Sequence, residues 1–157
     1  MPAQRDPAPE YQIKAVFLFN FAQFVEWPAG AFPQAATPLV IGILGEDPFN
    51  GYLDETVRGE TVNSHPLVVQ RFRAVEEVKA CHILFISRGE TQRLTQILAS
   101  LKGRYILVVS DAGQQGEMIK FFTEKNKIRL RINAEATRAA GLTISSKLLR
   151  LADTSEN

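Results

Sequence analysis

The chain has 157 residues, 45% of them hydrophobic, a length that suits one domain with a core of its own. Its 18 basic and 17 acidic side chains nearly balance, which argues against a nucleic-acid binder. The single cysteine, Cys81, excludes an internal disulfide and a cysteine-rich metal site.

Both ends of the chain are polar. Residues 1–10 contain three prolines and lack the apolar core of a signal peptide, so we expect a disordered tail there and another at residues 153–157. Residues 11–152 are then a single domain. A Met in front of such a tail is compatible with a start codon added to an exported protein whose signal peptide has been removed.

Residues 11–27 hold six of the fourteen aromatic side chains and only one thin polar stripe, with Lys14 lying off that stripe. A surface helix normally buries one face, so this helix needs cover from a second side. It is too short to span a bilayer, which takes about 20 apolar residues. We predict self-association, through this region or the final helix of the chain, or a partner laid against this helix; the alternative is a helix enclosed by its own core. The candidate contact residues are Phe17, Phe21, Phe24 and Trp27.

Four apolar runs of strand length alternate with helical patterns between residues 39 and 109. The strands are Leu39–Leu44, Pro66–Arg71, Cys81–Ile86 and Tyr105–Val109. The helices run from an Asp47 cap to about Val57 with Gly59 as the stop, over Val75–Lys79, and over Thr91–Leu101 behind a capping box at Ser87–Glu90. Apolar runs that alternate with helices are typical of parallel strands covered on both faces. We therefore predict an α/β fold, Rossmann-like and three-layered, with a mainly parallel sheet.

The last third of the chain changes pattern. Met118–Thr123 and Lys127–Ile132 are strand-like, and the link between them is so short that it permits only an antiparallel hairpin. Helix signals follow, with Asn133 as a cap and Gly141 as a stop for one helix, and with Ser145 or Ser146 as the cap of a final helix that carries Leu148, Leu149 and Leu151.

The search for catalytic or metal-binding groups finds only isolated candidates. Cys81 and His82 are neighbours on a predicted strand, so their side chains point to opposite faces and cannot hold one metal. His65 has no carboxylate or cysteine spaced to join it. The segment Gly42–Gly45 lacks the spacing of both common phosphate loops. No catalytic residue, metal or cofactor is therefore expected.

Two binding alternatives remain open. The tips of the first and third predicted strands, near Asp47 and Ser87, lie where small ligands bind in open α/β sheets. The basic stripe of Lys127, Arg129 and Arg131 suits an acidic partner or lipid headgroups, the alternative being a solvated sheet face.

Several segments, in order along the chain, resemble the YfiR family. They are Tyr11–Ala15, Phe19–Phe21, Phe24–Pro28, Val40–Gly45, Cys81–Ser87, Gly116–Ile119, Ile132–Asn133 and Ala140–Ala152. The similarity extends from about Glu10 to Ala152. The combination of FVEWP, CHILFIS and GLTISSKLLRL is specific, although each alone is weak.

The resemblance implies a non-enzymatic periplasmic regulator with a Rossmann-like fold, often a homodimer. The best-known members of the YfiR family bind the periplasmic domain of an inner-membrane diguanylate cyclase and repress it, which lowers cyclic-di-GMP and biofilm formation. An OmpA-like outer-membrane lipoprotein can sequester the repressor. Redox control in the best-known member uses cysteine pairs, and with Cys81 alone no such internal switch exists here.

The resemblance is strong across Ile132–Ala152, and this region supplies the predicted partner surface. Glu135 and Arg138 stand three residues apart on the exposed face of a predicted helix. Leu142 and Ile144 lie in the turn beside it, and apolar residues ringed by charges suit a reversible protein contact. The alternative is that Leu142 and Ile144 only pin the last helix to the sheet.

Overall fold

A computed structural model describes residues 8–111 and 117–152. Residues 1–7 and 153–157 of the predicted tails, and the polar stretch 112–116, lie outside the described residues. Its helices and strands are α1 (Pro9–Phe24), β1 (Val25–Glu26), β2 (Leu39–Leu44), α2 (Tyr52–Val57), β3 (Thr61–Val62), β4 (His65–Phe72), β5 (Ile83–Ile86), α3 (Leu94–Leu101), β6 (Leu107–Ser110), β7 (Ile119–Glu124), β8 (Lys127–Ile132), α4 (Ala134–Ala139), β9 (Thr143–Ile144) and α5 (Ser146–Leu151).

Seven strands form one sheet in the order β3-β4-β2-β5-β6-β7-β8. The strands β4, β2, β5, β6 and β7 are parallel, whereas β8 and β3 pair antiparallel to their neighbours. Taken alone, the five parallel strands have the 2-1-3-4-5 order of one common doubly wound arrangement. The predicted α/β fold with a mainly parallel sheet is confirmed.

The central strands contribute side chains to two hydrophobic cores, one on each face of the sheet. Ile41 and Ile43 of β2 pack in the core that α1 and α2 cover, while Val40 and Leu44 pack in the core that α3 covers. This alternation follows from the two-residue period of a strand. Because both faces are buried, β2 is apolar at every position except Gly42. The helices and the sheet therefore form three layers.

The C-terminal hairpin is confirmed. β7 and β8 pair antiparallel from Ile119–Ile132 to Glu124–Lys127. The two residues between them, Lys125 and Asn126, have φ values of +52° and +64°. Two left-handed residues match the twist of the flanking strands, which is why a two-residue link suffices.

The predicted start of the second helix is wrong. Asn50 and Gly51 have φ values of +51° and +84°, so regular helix begins only at Tyr52. Asp47 instead closes a local turn, since its Oδ1 accepts a hydrogen bond of 2.7 Å from the backbone N–H of Phe49. The predicted stop is confirmed, because Gly59 with a φ of +75° follows the last turn.

The predicted capping box at Ser87–Glu90 is wrong as well. The chain runs through a 3-10 segment, Arg88–Arg93, before α3 begins at Leu94. Within the described residues the hydroxyl of Ser87 has no hydrogen-bond partner, so it caps nothing. The apolar face of α3 is confirmed, with Leu94, Ile97 and Leu101 all buried.

Smaller differences lie at three other element ends. α1 begins at Pro9, two residues before the expected domain start. The predicted helix at Val75–Lys79 is a 3-10 turn, Val75–Glu77. The fourth predicted strand starts at Leu107 because Tyr105, with a φ of +57°, cannot be part of it.

The C-terminal caps are confirmed. The side chains of Asn133 and Ser145 accept hydrogen bonds from backbone N–H groups of α4 and α5. Of the three leucines predicted on the last helix, only Leu148 is buried, since Leu149 and Leu151 are 36% and 50% exposed. A small antiparallel sheet of β1 and β9, absent from the sequence prediction, joins the end of α1 to the start of α5.

Candidate functional site

The four residues predicted to bind a partner divide between surface and core. Glu135 and Arg138 are exposed on α4, which Asn133 caps with a hydrogen bond of 3.0 Å. Leu142 is 2% exposed and packs in the core on the α1 face of the sheet. Ile144 is half-buried and pairs with Val25 in the small sheet. The two charged residues thus reach solvent, and Leu142 lies in the core.

An apolar pocket of about 310 Å³ opens beside α4. One wall consists of Ala136, Ala139 and Ala140, and the opposite wall includes Leu98, Tyr105 and Met118. Tyr105 keeps its left-handed backbone there, and its ring lies over the backbone of Gly141, where an added Cβ would be 3.2 Å away. The three alanines were the only sequence signal for this pocket, since small side chains at i, i+3 and i+4 share one helix face.

Of the four predicted self-association residues, Phe21 is fully buried, and Phe17, Phe24 and Trp27 are half-buried. Phe21 is fully buried and stacks against Phe17 and Phe121. Phe24 and Trp27 are half-buried and pack against the core. With no exposed surface, Phe21 is not available to a partner in this fold.

The outer face of α1 is apolar and exposed instead at Ile13 and Val16, which are 47% and 44% exposed. A shallow groove of about 350 Å³ runs along it and is lined by Gln12, Ile13, Val16, Phe17, Asn20 and Tyr52. None of these six lining residues is charged. An apolar strip with an uncharged rim is suited to a protein contact.

A charged cluster ties α1 to the carboxyl edge of the sheet. Lys14 is 1% exposed and forms ion pairs with Asp111 and, at 2.7 Å, with Glu10. Asp111 also accepts a hydrogen bond from the hydroxyl of Tyr11. Its carboxylate forms a further ion pair with Arg88, whose Nε lies 3.2 Å away. Burial, together with the hydrogen bond to Asp111, raises the pKa of Tyr11. These side chains neutralise one another, as buried charges must.

The sequence contained one signal for this cluster, which the prediction did not use. Lys14 lies on the apolar side of α1, away from the stripe of Gln12, Asn20 and Gln23, and a cation on an apolar face requires a buried partner. Its partner Asp111 is 97 residues away, so only the folded chain identifies it. The cluster lines an opening of about 310 Å³ that also includes Lys120.

The two strand tips predicted as a ligand site differ in their surroundings. Asp47 is paired with Arg71 at 2.7 Å, and Arg71 also binds Asp54. Ser87 lies beside Gly45, where an added Cβ would come within 2.5 Å of the serine hydroxyl. Ser87 is 5% exposed, and its hydroxyl is without a partner in the described part of the chain.

Cys81 and His82 are separated as predicted. Cys81 is buried in the core on the α3 face, and burial raises the pKa of its thiol to about 12. His82 is 3% exposed and its ring stacks on Phe32, which stacks on His65 in turn. Among the described residues, no group of three or more His, Cys, Asp or Glu side chains is placed to hold a metal.

The basic stripe of β8 has neighbours within the hairpin. Arg129 lies 3.6 Å from Glu124, and the guanidinium of Arg131 stacks 4.9 Å from the ring centre of Phe122. Such contacts are typical of a solvated sheet face. An acidic partner for the stripe stays a prediction.

A family model described as YfiR/HmsC-like matches residues 11–153. The chain belongs to the YfiR/HmsC-like family. The match spans both the N-terminal helix and the C-terminal surface, and it confirms the resemblance found in the sequence. No curated protein is similar enough in sequence to stand beside it as a relative.

Membership in the YfiR/HmsC-like family suggests a periplasmic regulator of cyclic-di-GMP signalling that works with a membrane diguanylate cyclase system. The family is known for regulation rather than for catalysis. Within residues 8–111 and 117–152, none of the helices combines the length and apolarity needed to cross a membrane.

Proposed function

We propose that this protein binds the periplasmic domain of an inner-membrane diguanylate cyclase and holds the cyclase inactive, which lowers cyclic-di-GMP and biofilm formation. Family membership supports the signalling pathway. The observation that carries the mode of action is the apolar pocket beside α4, because Glu135 and Arg138 extend from the helix that forms its wall.

Lys102 is the charged residue in the lining of the pocket, and Glu135 and Arg138 are exposed on the helix that supplies its alanines. A few apolar anchors seated in pockets carry most of the binding energy at protein-binding surfaces, and rim charges set orientation and association rate. A volume of about 310 Å³ accepts one bulky apolar side chain of the partner. This surface replaces the predicted role of Leu142, which is buried in the core.

Binding of the purified cyclase domain to three variants tests this surface. Ala139→Trp fills the pocket, and Glu135→Arg with Arg138→Glu reverses the charges. Each is expected to weaken binding about tenfold or more. Glu55→Arg on α2, which lies on the other side of the sheet, is the matched control and should bind as the wild type does. If both test variants bind like the control, the contact lies elsewhere.

We further propose that the protein self-associates through α1, with Ile13 and Val16 as contact residues in place of Phe21. Their exposure and the uncharged groove beside them support an isologous contact between two copies. Light scattering checks it: the wild type should be a dimer, and Val16→Glu a folded monomer. A wild type that is monomeric at high concentration would contradict the proposal. Sequestration by an OmpA-like lipoprotein belongs to the same scheme.

The alternative function, a periplasmic small-ligand-binding module, rests on one observation at the strand tips. The hydroxyl of Ser87, buried and without a partner among residues 8–111 and 117–152, lies at the carboxyl end of β5, and Asp111 follows the neighbouring strand β6. In doubly wound sheets, ligands usually bind at the carboxyl ends of the parallel strands. Thermal shift with inorganic phosphate and with simple carboxylates tests it, and Ser87→Ala should abolish any shift observed.

A further inference from the structure

Both histidines of the chain and its single tryptophan lie together at the amino edge of the parallel sheet. The ring of Phe32 is sandwiched between His65, with ring centres 3.9 Å apart, and His82, at 4.3 Å. Both pairs are nearly parallel, with interplanar angles of 15° and 9°. Trp27 meets His82 edge-on and donates a hydrogen bond of 3.1 Å to its backbone carbonyl. We call His65, Phe32 and His82 the histidine stack.

The histidine stack holds down the segment 28–38, which connects β1 to β2. His65 Nδ1 donates to the carbonyl of Thr37 at 2.7 Å, since a carbonyl can only accept. His82 Nε2 lies 2.8 Å from the carbonyl of Ala31. With Phe32 between the two rings, the segment is attached to the sheet at three points, and two of them depend on imidazole nitrogens.

The hydrogen bonds of His82 require a neutral ring. The backbone N–H of Val40 donates to His82 Nδ1 at 3.0 Å, so that nitrogen must carry a lone pair. The proton therefore sits on Nε2 and binds the carbonyl of Ala31. Protonation of Nδ1 would bring its N–H against the backbone N–H of Val40, so that two donors would face each other. It would also place a positive charge on a side chain that is 3% exposed.

We propose that the histidine stack is an acid-sensitive latch: protonation of His82 releases the segment 28–38 from the sheet while the rest of the domain stays folded.

The charges around His82 favour a closed latch at neutral pH. Burial lowers the pKa of His82, the hydrogen bond to the carbonyl of Ala31 partly offsets this, and His65 lowers the pKa as well. Of the elements packed against the ring, β4 contributes His65, β2 contributes Val40 and the segment 28–38 contributes Phe32, while Trp27 directly follows β1. In this described surrounding no carboxylate stabilises an imidazolium.

The sign of the pH dependence follows from the lowered pKa. The open state has an ordinary histidine pKa near 6.5 and binds a proton that the closed state rejects. The closed latch is therefore fully favoured above about pH 6.5 and loses stability as the pH falls from there towards the pKa of the closed state. Each unit by which that pKa lies below 6.5 changes the opening equilibrium by about tenfold.

The segment held by the latch lies beside the pocket proposed to bind the cyclase. An added Cβ at Gly30, inside the held segment, would lie 3.6 Å from the ring of Tyr105, and Tyr105 lines the pocket beside α4. Opening the latch removes that support from one wall of the pocket. This consequence rests on the proposed function, whereas the latch itself does not.

Three measurements between about pH 7.5 and about pH 5 test the latch. They are the imidazole proton shifts of the two histidines, the emission maximum of Trp27, and amide exchange of residues 31–37 corrected for intrinsic rates. In the wild type, the emission should move to longer wavelength and exchange should accelerate about tenfold or more, both with the midpoint of the His82 titration. Far-UV circular dichroism should stay constant.

Two variants separate the latch from other titrations. His82→Gln keeps a side-chain donor but cannot ionise, so its Trp27 emission should show no acid step. His65→Gln removes the other imidazole of the stack but leaves His82 able to ionise, so its Trp27 emission should still show the acid step. The proposal is overturned if wild-type emission is flat down to about pH 5, if the step persists in His82→Gln, or if circular dichroism is lost with the same midpoint. Where His82→Gln does not fold, disagreement between the His82 and Trp27 midpoints in the wild type overturns it.

Binding of the cyclase domain at both pH values tests the consequence separately. Weaker binding at the acid value with an intact acid step supports the coupling. Equal binding at both values overturns the coupling and leaves the latch standing. Absence of binding at both values contradicts the proposed function, while the Trp27 step still decides the latch.

Discussion

Removal of one carboxylate from the buried cluster should destabilise the domain strongly. In Asp111→Asn, Lys14 loses its ion-pair partner at a site where the lysine is 1% exposed, and only Glu10 remains. The hydroxyl of Tyr11 and the guanidinium of Arg88 also lose a charged acceptor. Breaking a buried pair by removing one partner costs about 3–5 kcal/mol. For a domain of this size, about 3 kcal/mol lowers the midpoint of thermal unfolding by about 10 °C.

An exposed ion pair, with the length of the Lys14–Glu10 pair in the same cluster, is the control. Arg58 and Glu55 are 2.7 Å apart, as are Lys14 and Glu10, but their side chains are 72% and 62% exposed. Glu55→Gln should change the free energy of unfolding by less than about 1 kcal/mol, because water screens the pair. Thermal and urea unfolding followed by circular dichroism measure both variants.

A double substitution distinguishes an uncompensated charge from lost packing. Lys14→Met combined with Asp111→Leu removes both buried charges, and such replacements are often neutral or better. The double variant should therefore be more stable than Asp111→Asn alone. The reasoning is refuted if the free energy of unfolding of Asp111→Asn lies within about 1 kcal/mol of the wild-type value. It is also refuted if the double variant is less stable than both the wild type and Asp111→Asn.

Three further predictions concern other parts of the fold. Because burial raises the pKa of the Cys81 thiol to about 12, the thiol is unreactive at neutral pH, and unfolding curves with and without reductant should coincide; a shift of many degrees would reveal a role for it. Phe21→Glu should fail to fold, since Phe21 is fully buried, whereas Ile13→Glu should keep the circular dichroism of the wild type; equal behaviour of the two would contradict the burial. Asn133→Ala should cost about 1 kcal/mol in urea unfolding through loss of the α4 cap, and an unchanged midpoint would count against that cap.

Elements whose signals are local were predictable from the sequence. The strand Leu39–Leu44 matches to the residue, because a short apolar run rich in β-branched residues favours a strand buried on both faces. The hairpin follows from the two-residue link, and the Asn133 cap from the preference of a helix start for a side-chain acceptor. The family too was recognisable from segments in chain order.

Where two local patterns competed, sequence reasoning chose the wrong one. Asp47 before Pro48 is typical of a helix start, but the left-handed backbone at Asn50 and Gly51 delays α2 to Tyr52. Ser87 and Glu90 have the spacing of a capping box, yet Ser87 is buried beside Gly45 and its hydroxyl bonds to no group among the described residues. Both errors lie where the chain leaves the carboxyl edge of the sheet, and there the packing of neighbouring strands outweighs capping preferences.

The sequence by itself determined the α/β class, the hairpin and the family of this protein, since these depend on periodicity and on residues close along the chain. Only the tertiary structure decided the partners of Lys14, the pocket beside α4 and the stacking of Phe32 between two histidines. Each of these joins residues from distant segments. Their positions depend on strand order and helix packing, which a pattern of neighbouring residues does not encode.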